Sequence, residues 1–160
     1  MLTNYENPFG IQQMKEVESI AAKLGINLAT VKASTADEIG PAIRTFVGER
    51  VSIVLVLRDA LFLAIRQKIA AFALASRIPT IYGYREHVES GGLISYGIDL
   101  RESYIRAASY VDRILKGEKP ADLPIEFPTK LELVINLTTS KALGLEVPLF
   151  LQQRAAEIIE

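Results

Sequence analysis

The sequence of 160 residues carries 18 Lys and Arg residues against 19 Asp and Glu residues, which gives a formal net charge of -1. This balance argues against a nucleic-acid-binding surface, because such surfaces normally show an excess of basic residues on one face. The absence of cysteine excludes disulfides and thiolate metal sites, and no run of about 20 apolar residues is available to span a membrane.

Two kinds of segment alternate along the first half of the chain. In residues 11–24 (IQQMKEVESIAAKL) the apolar side chains recur at helical spacing, and Gly25 supplies a helix stop. Residues 51–57 (VSIVLVL) are almost wholly apolar, which is typical of a strand covered on both faces in a parallel sheet. Similar patterns predict a short strand before Asn4, a strand over 26–33, a helix over 35–47, a helix over 61–76 and a strand over 80–82.

The second half continues the alternation. Residues 101–116 show a strongly amphipathic helical pattern, and a connector over 119–128 follows it with three of the seven prolines. The remaining predicted elements are a helical turn over 85–89, strands over 93–96 and 131–136, and helical pieces over 138–143 and 149–159. This order predicts a three-layer α/β domain, a mainly parallel sheet with helices on both faces.

Ligands of such sheets bind at the carboxyl ends of the strands, which selects four loops: residues 4–7, 58–59, 82–86 and 95–99. Together these loops offer an amide, carboxylates, an arginine and tyrosines, a set that suits a small polar or zwitterionic molecule. The sequence has no G-x-S-x-G elbow and no glycine-rich phosphate loop after the first strand. We therefore expect no catalysis, no metal and no cofactor.

Each candidate residue also has a simpler interpretation. Asp59 could cap the following helix, or act as a phosphoacceptor as in receiver domains, and Asn4 could only shape a turn. The tyrosines could be packing residues, and Arg58 could be a solvated surface group. His87, the only histidine, lies in a polar helical turn and is expected at the surface.

Several runs of residues carry a family resemblance. They are residues 78–86 (IPTIYGYRE), 91–97 (GGLISYG), 110–117 (YVDRILKG), 119–124 (KPADLP), 133–137 (LVINL), 141–145 (KALGL) and the opening N-x-x-N-P at 4–8. In one register over nearly the whole chain, they resemble the solute-binding proteins of ABC-type importers. The group is the one often described as the tryptophan/tyrosine-type or "uncharacterised" ABC substrate-binding family.

That resemblance implies one flavodoxin-like, Rossmann-like lobe of a type I periplasmic-binding protein, here the carboxy-terminal lobe. Residues 1–97 would form its core, 98–128 the crossing helix and connector, and 129–160 the final strand and helices, with residues 95–97 marking a crossing between lobes. The implied function is non-catalytic binding of an amino acid or related ligand for an ABC permease. The implied ligand-binding residues are Asn4, Asp59, Tyr82, Gly83, Tyr84 and Glu86.

The sequence also departs from the family. The first lobe has no counterpart, so helix 101–116, which packs on that lobe in the family, would expose an apolar face. Residues 1–8 contain neither a basic nor an apolar stretch and do not form a signal peptide. The family predicts a periplasmic or extracytoplasmic location, whereas a natural start at Met1 would predict a cytoplasmic one.

A second departure lies in helix 61–76, where small apolar residues form a stripe on the outward side. Hydrophobic residues make up 49% of the chain, so part of its surface could be covered by another molecule. An alternative function is therefore a homodimerising interaction module without transport. Its predicted interface consists of Leu61, Ala64, Ile65, Ala71, Phe72 and Ala75.

Overall fold

A computed structural model describes residues 1–128 and 130–160, so that Thr129, with which the predicted segment 129–160 begins, lies outside the described residues. The described residues form one mixed sheet of seven strands. The strands are β1 (Leu2–Thr3), β2 (Val31–Lys32), β3 (Val54–Val56), β4 (Thr80–Tyr82), β5 (Ile94–Ile98), β6 (Leu131–Asn136) and β7 (Glu157–Ile159).

The strand order is β2-β1-β3-β4-β5-β6-β7. All neighbouring strands are parallel except β5 and β6, which pair antiparallel with Ile94 opposite Ile135 and Ile98 opposite Leu131. The first five strands follow the flavodoxin-like order 2-1-3-4-5. The predicted fold class, an α/β domain with a mainly parallel sheet, is confirmed.

The helices connect successive strands along the chain. They are α1 (Pro8–Lys23), α2 (Ile39–Gly48), α3 (Ala60–Ala64), α4 (Arg66–Ala75), α5 (Arg85–Glu89), α6 (Leu100–Leu115), α7 (Leu137–Leu143) and α8 (Leu149–Gln152). α1 begins where the Asn7 side chain accepts a hydrogen bond from the Phe9 amide and Pro8 occupies the first turn. The chain leaves this helix through Gly25, whose φ of 67° is readily adopted by glycine.

The alternation of side chains along β3 shows how the two helical layers are separated. Val54 and Val56 point to a large core formed with α2, α3, α4 and α5, whose most buried members include Phe46 and Phe62. Leu57 points to the opposite face, where it packs with Met14 of α1. Since successive strand residues face opposite sides, one apolar run serves both cores.

Three predicted elements differ from the structure. The helix over 61–76 is broken at Ile65, whose φ of -103° and ψ of 21° separate α3 from α4. The Arg66 guanidinium donates a hydrogen bond of 3.0 Å to the Leu63 carbonyl beside this break. The strand over 26–33 shrinks to β2, and the helical piece over 149–159 divides into α8 and the unpredicted β7.

α6 stands apart from the layered domain, because none of its 16 residues is buried. The connector that follows holds it through the Tyr110 hydroxyl, which donates to the Pro124 carbonyl at 2.8 Å, and through an Arg106–Glu126 ion pair at 3.2 Å. Its exposed side chains include Tyr104 and Leu115, which are 73% and 82% accessible. Within residues 1–128 and 130–160, no helix has the length and apolar character needed to cross a membrane.

Candidate functional site

The carboxyl ends of β1, β3 and β4 lie next to one another at one edge of the sheet. β1 and β3 are neighbours, but the chain leaves β1 towards β2 on one side and reaches β4 on the other side. This reversal is a topological switch point, and open α/β sheets form their ligand crevice at such points. Asn4 follows β1 and Asp59 follows β3, so the two residues flank the switch point.

A hydrogen-bond network centred on the Asp59 carboxylate joins the two loops. One carboxylate oxygen accepts from the Asn7 side-chain amide at 2.8 Å and from the Asn4 amide at 3.3 Å. The other accepts from the Leu61 backbone amide at 2.8 Å, so Asp59 caps α3 as its simpler interpretation predicted. Since three donors already use this buried carboxylate, its main effect is to fix the positions of Asn4 and Asn7.

The Asn4 side chain extends the network towards β2. Its oxygen accepts from the Glu6 backbone amide at 3.0 Å and from the Ser34 hydroxyl at 3.0 Å. Asn4 is only 9% accessible, so nearly all of its hydrogen-bonding capacity is directed into the protein. It therefore shapes the turn, and a direct contact of Asn4 or Asp59 with a ligand stays a prediction.

Gln13 of α1 fixes the backbone next to Asp59, although the sequence analysis did not select it. Its side-chain amide donates to the Arg58 carbonyl at 2.9 Å, and its oxygen accepts from the Arg58 backbone amide at 3.2 Å. The signal for this contact was a glutamine on the buried side of α1, between Gly10 and Met14. A buried amide of this kind needs partners, and here it finds them 45 residues away.

The loop after β4 places its side chains in different environments. The Tyr82 ring is 1% accessible and stacks on the His87 ring with 4.5 Å between centroids, so it belongs to the core. Burial raises the pKa of Tyr82 to about 12. Tyr84 is half-buried, and its ring is also stacked relative to His87 but farther away, with 6.4 Å between ring centroids. Tyr84 is thus better placed than Tyr82 to offer its ring to a ligand.

The expectation that His87 is a surface group is wrong. His87 is 2% accessible, and burial lowers its pKa to about 4. The five-residue helix α5 is polar in sequence, but its packing beneath the Tyr82–Tyr84 loop turns this side chain inward.

Gly83 and Gly97 allow the loops to approach closely. A Cβ atom at Gly83 would lie 2.8 Å from Cδ of Arg58 and closer still to Cγ. A Cβ atom at Gly97 would lie 2.9 Å from the Gly83 carbonyl carbon and closer still to its oxygen. Gly97 belongs to β5, which runs to Ile98, so the predicted loop over 95–99 is mostly strand.

Glu86 adds a negative charge to this edge. One of its carboxylate oxygens is buried and has no hydrogen-bond partner within residues 1–128 and 130–160. Burial raises the pKa of the Tyr84 phenol, Arg58 lowers it, and Glu86, Asp59 and Tyr104 raise it. The Tyr84 hydroxyl therefore lies within electrostatic range of charges of both signs.

Comparison with known proteins identifies the group to which this architecture belongs. A family model described as ABC transporter substrate binding protein matches residues 2–159. The chain belongs to this family. Membership confirms the resemblance carried by the sequence motifs.

Individual proteins are also similar to this chain, and the similarity covers only part of their own lengths. A tyrosine-binding protein from Clostridioides difficile is 27% identical over 134 residues, which make up 84% of this chain and 39% of that protein. A solved conserved domain protein from Vibrio cholerae superposes with a TM-score of 0.90 at 25% identity, over 98% of this chain and 53% of that one. An ABC domain in complex with L-Trp from Streptococcus pneumonia gives a TM-score of 0.88 at 24% identity, over 99% and 53%. The chain spans about half the length of these solved relatives and less of the curated one.

The residues predicted for a homodimer interface lie on α3, α4 and the break between them. Leu61 and Ile65 are half-buried and pack against the large core. Ala64, Ala71 and Ala75 are exposed, and Phe72 is 36% accessible. The break separates Ala64 from the other alanines, so the predicted continuous stripe is reduced to its α4 part.

Proposed function

We propose that this chain is a ligand-binding lobe of an ABC importer's solute-binding protein. It binds an amino acid or a related molecule without catalysis, at the edge formed by the loops after β1, β3 and β4. The observation that carries the proposal is the fixed geometry of the switch point, where the Asp59 carboxylate holds Asn4 and Asn7 in place and Gln13 holds the Arg58 backbone.

Aromatic amino acids are the first ligands to test. One relative is a tyrosine-binding protein and a structural neighbour was solved with L-Trp. In this chain the half-buried Tyr84 offers a ring for stacking, and the charges of Arg58 and Glu86 act in opposite directions on the pKa of its hydroxyl. A zwitterion with an aromatic side chain would match both kinds of group.

The lobe supplies only part of a closed site. Solved relatives are about twice as long as this chain, and we propose that a second lobe covers the same edge in the whole protein. A single lobe should therefore bind weakly, with an ABC permease and an extracytoplasmic location belonging to the whole system. We further propose that segment 98–128 makes the crossing between the lobes.

The test is a ligand titration that is monitored in two ways, by the melting temperature of the protein and by its NMR signals. L-tryptophan or L-tyrosine should raise the melting temperature progressively with concentration, since a ligand at about 100 times its Kd stabilises the folded state by about 2.7 kcal/mol. Asp59→Ala should abolish the ligand-induced NMR shifts, measured at a temperature where the variant is still folded. Asp112→Ala, on the exposed side of α6, should keep them. If no amino acid shifted the melting temperature or the loop signals, the proposed function would be wrong.

Self-association through α4 is a separate proposal about partners. It rests on the exposed Ala71 and Ala75 and on Phe72, which is 36% accessible. Family membership favours solute binding over a pure interaction module. Native mass spectrometry should show a dimer that Ala71→Glu dissociates and that Ala22→Glu, on the exposed side of α1, leaves intact. A monomer at high protein concentration would contradict this proposal.

A further inference from the structure

Arg58 combines a fixed position with unused hydrogen-bonding capacity. Gln13 holds the Arg58 backbone through two hydrogen bonds, one of 2.9 Å to the Arg58 carbonyl and one of 3.2 Å from the Arg58 amide. Gln13 is itself buried at 8% accessibility, so it is a rigid support. The base of the Arg58 side chain is therefore anchored at the switch point.

Packing fixes the rest of the side chain. Its methylene groups lie against Gly83, at a distance that leaves no room for a Cβ atom there. The guanidinium carbon lies 5.6 Å from the centroid of the Phe9 ring, within the range of a cation–π contact. The stem thus runs from the loop after β3 to Gly83 in the loop after β4, and the guanidinium lies near the Phe9 ring of α1.

The charged head itself has few partners. Within residues 1–128 and 130–160, no carboxylate lies within 4.0 Å of the Arg58 guanidinium. Its Nε donates a long hydrogen bond of 3.4 Å to the Gln13 oxygen. Among the residues that the structure describes, the two terminal nitrogens have no acceptor. The neighbouring Asp59 carboxylate is occupied by Asn4, Asn7 and Leu61.

We propose that Arg58 is the anion subsite of this lobe and binds the α-carboxylate of an amino-acid ligand through its terminal nitrogens. The assignment rests on the proposed function and adds to it the ligand chemistry that one residue recognises. A planar guanidinium with two free nitrogens matches a carboxylate in a bidentate arrangement. Gln13 is a positioning residue for Arg58, and Glu86 supplies the opposite charge for the ligand's ammonium group.

The experiment compares L-tryptophan with L-tryptophanamide, which keeps the ring and the ammonium group but lacks the carboxylate. NMR titration of the 160-residue chain gives the Kd of each, and the Arg58 Nε–H signal reports directly on the guanidinium. The wild-type protein should bind L-tryptophan about 10 to 100 times more tightly, because a hydrogen bond to a charged group is worth that factor. The Nε–H signal should shift with L-tryptophan and not with the amide.

Arg58→Met keeps an unbranched stem against Gly83 and removes the charge. It should weaken binding of L-tryptophan to the level of L-tryptophanamide and leave the amide's Kd unchanged. Arg44→Met removes the same charge from an exposed position on α2 and should keep the wild-type preference. Arg58→Lys should recover part of the preference, because a point charge remains without the planar fork.

Three results would overturn the assignment, and they show whether the proposed function falls with it. Equal affinities of the wild-type protein for L-tryptophan and its amide, or an unchanged ratio in Arg58→Met, would remove Arg58 from the site and leave the proposed function standing. The absence of binding to either compound, repeated with L-tyrosine and L-tyrosinamide, would overturn the proposed function together with the subsite. The wild-type Kd ratio and the shift of the Arg58 Nε–H signal need no variant, so together they test the assignment even if Arg58→Met fails to fold.

Discussion

Replacement of Asp59 by alanine tests whether the network at the switch point holds the fold as well as the site. The change removes three acceptor contacts at once: the cap on the Leu61 amide and the bonds from the Asn4 and Asn7 amides. Loss of an N-cap costs about 1 kcal/mol. The 2.8 Å bond from Asn7 to a charged acceptor contributes about 1.5–3 kcal/mol, and the longer Asn4 bond contributes less.

Together these losses predict a decrease of about 3 kcal/mol in the free energy of unfolding, since contributions within one network are not fully additive. For a chain of this size the melting temperature should fall by about 6–12 °C. Asp59→Asn should recover only the cap, about 1 kcal/mol, because its amide nitrogen would face the donor groups of Asn4 and Asn7.

Urea and thermal unfolding followed by circular dichroism would measure both variants. Asp112→Ala is the matched control, because Asp112 forms an exposed pair with Lys116 on α6 and its loss should leave the melting temperature unchanged. A melting temperature of Asp59→Ala within about 2 °C of the wild type, which corresponds to less than about 1 kcal/mol, would contradict this prediction. In that case the contacts would be accessory to the fold, and the position of Asn4 would need another explanation.

Two further predictions concern the neighbouring loop. Gly97→Ala should destabilise the domain by about 1–3 kcal/mol, because the new Cβ would overlap the rigid Gly83 carbonyl. Gly48→Ala is the control, because a Cβ atom at Gly48 would lie in open space. Equal urea midpoints for the two variants would contradict this prediction. Burial lowers the pKa of His87 from its ordinary value of 6.5 to about 4, so the unfolded chain binds more protons than the native one between these pH values. The free energy of unfolding should therefore fall by about 2 kcal/mol from pH 7 to pH 5. His87→Phe should reduce this loss, and an identical pH dependence in the variant would show that other groups cause it.

The elements that were predicted well are those whose state is decided by local sequence. β4, α5 and β6 have the predicted bounds. β4 is an apolar run between Pro79 and Gly83, and two glycines at 91 and 92 follow α5, so these limits are visible without reference to distant residues. β7 was missed for the opposite reason. Residues 157–159 become a strand only because β6 lies beside them, with Val134 opposite Glu157 and a bond from the Ala156 amide to the Leu133 carbonyl.

In the candidate site, too, some residues could be selected from the local sequence, whereas their contacts could not. The edge of the sheet and the loops that reach it follow from strand order, so Asn4, Asp59 and Gly83 could be selected from the sequence. The partners of these residues could not, because Gln13 meets Arg58 across 45 residues of chain. For His87 the polar neighbours in α5 indicated exposure, but packing against Tyr82 determines burial.

The isolation of α6 has a consequence for the order in which the domain opens. A helix of 16 residues is marginal in water without tertiary contacts, and this one has no buried side chain. Its helical state depends on the Asp99 cap, on i,i+4 ion pairs such as Glu102–Arg106, and on the contacts with the connector. Amide hydrogens of α6 should therefore exchange with solvent far faster than those of β3 and β4, through local opening that leaves the sheet intact. Any molecule that covers the Tyr104–Leu115 side of α6 would slow this exchange, so the helix would report such an encounter in its own amide signals.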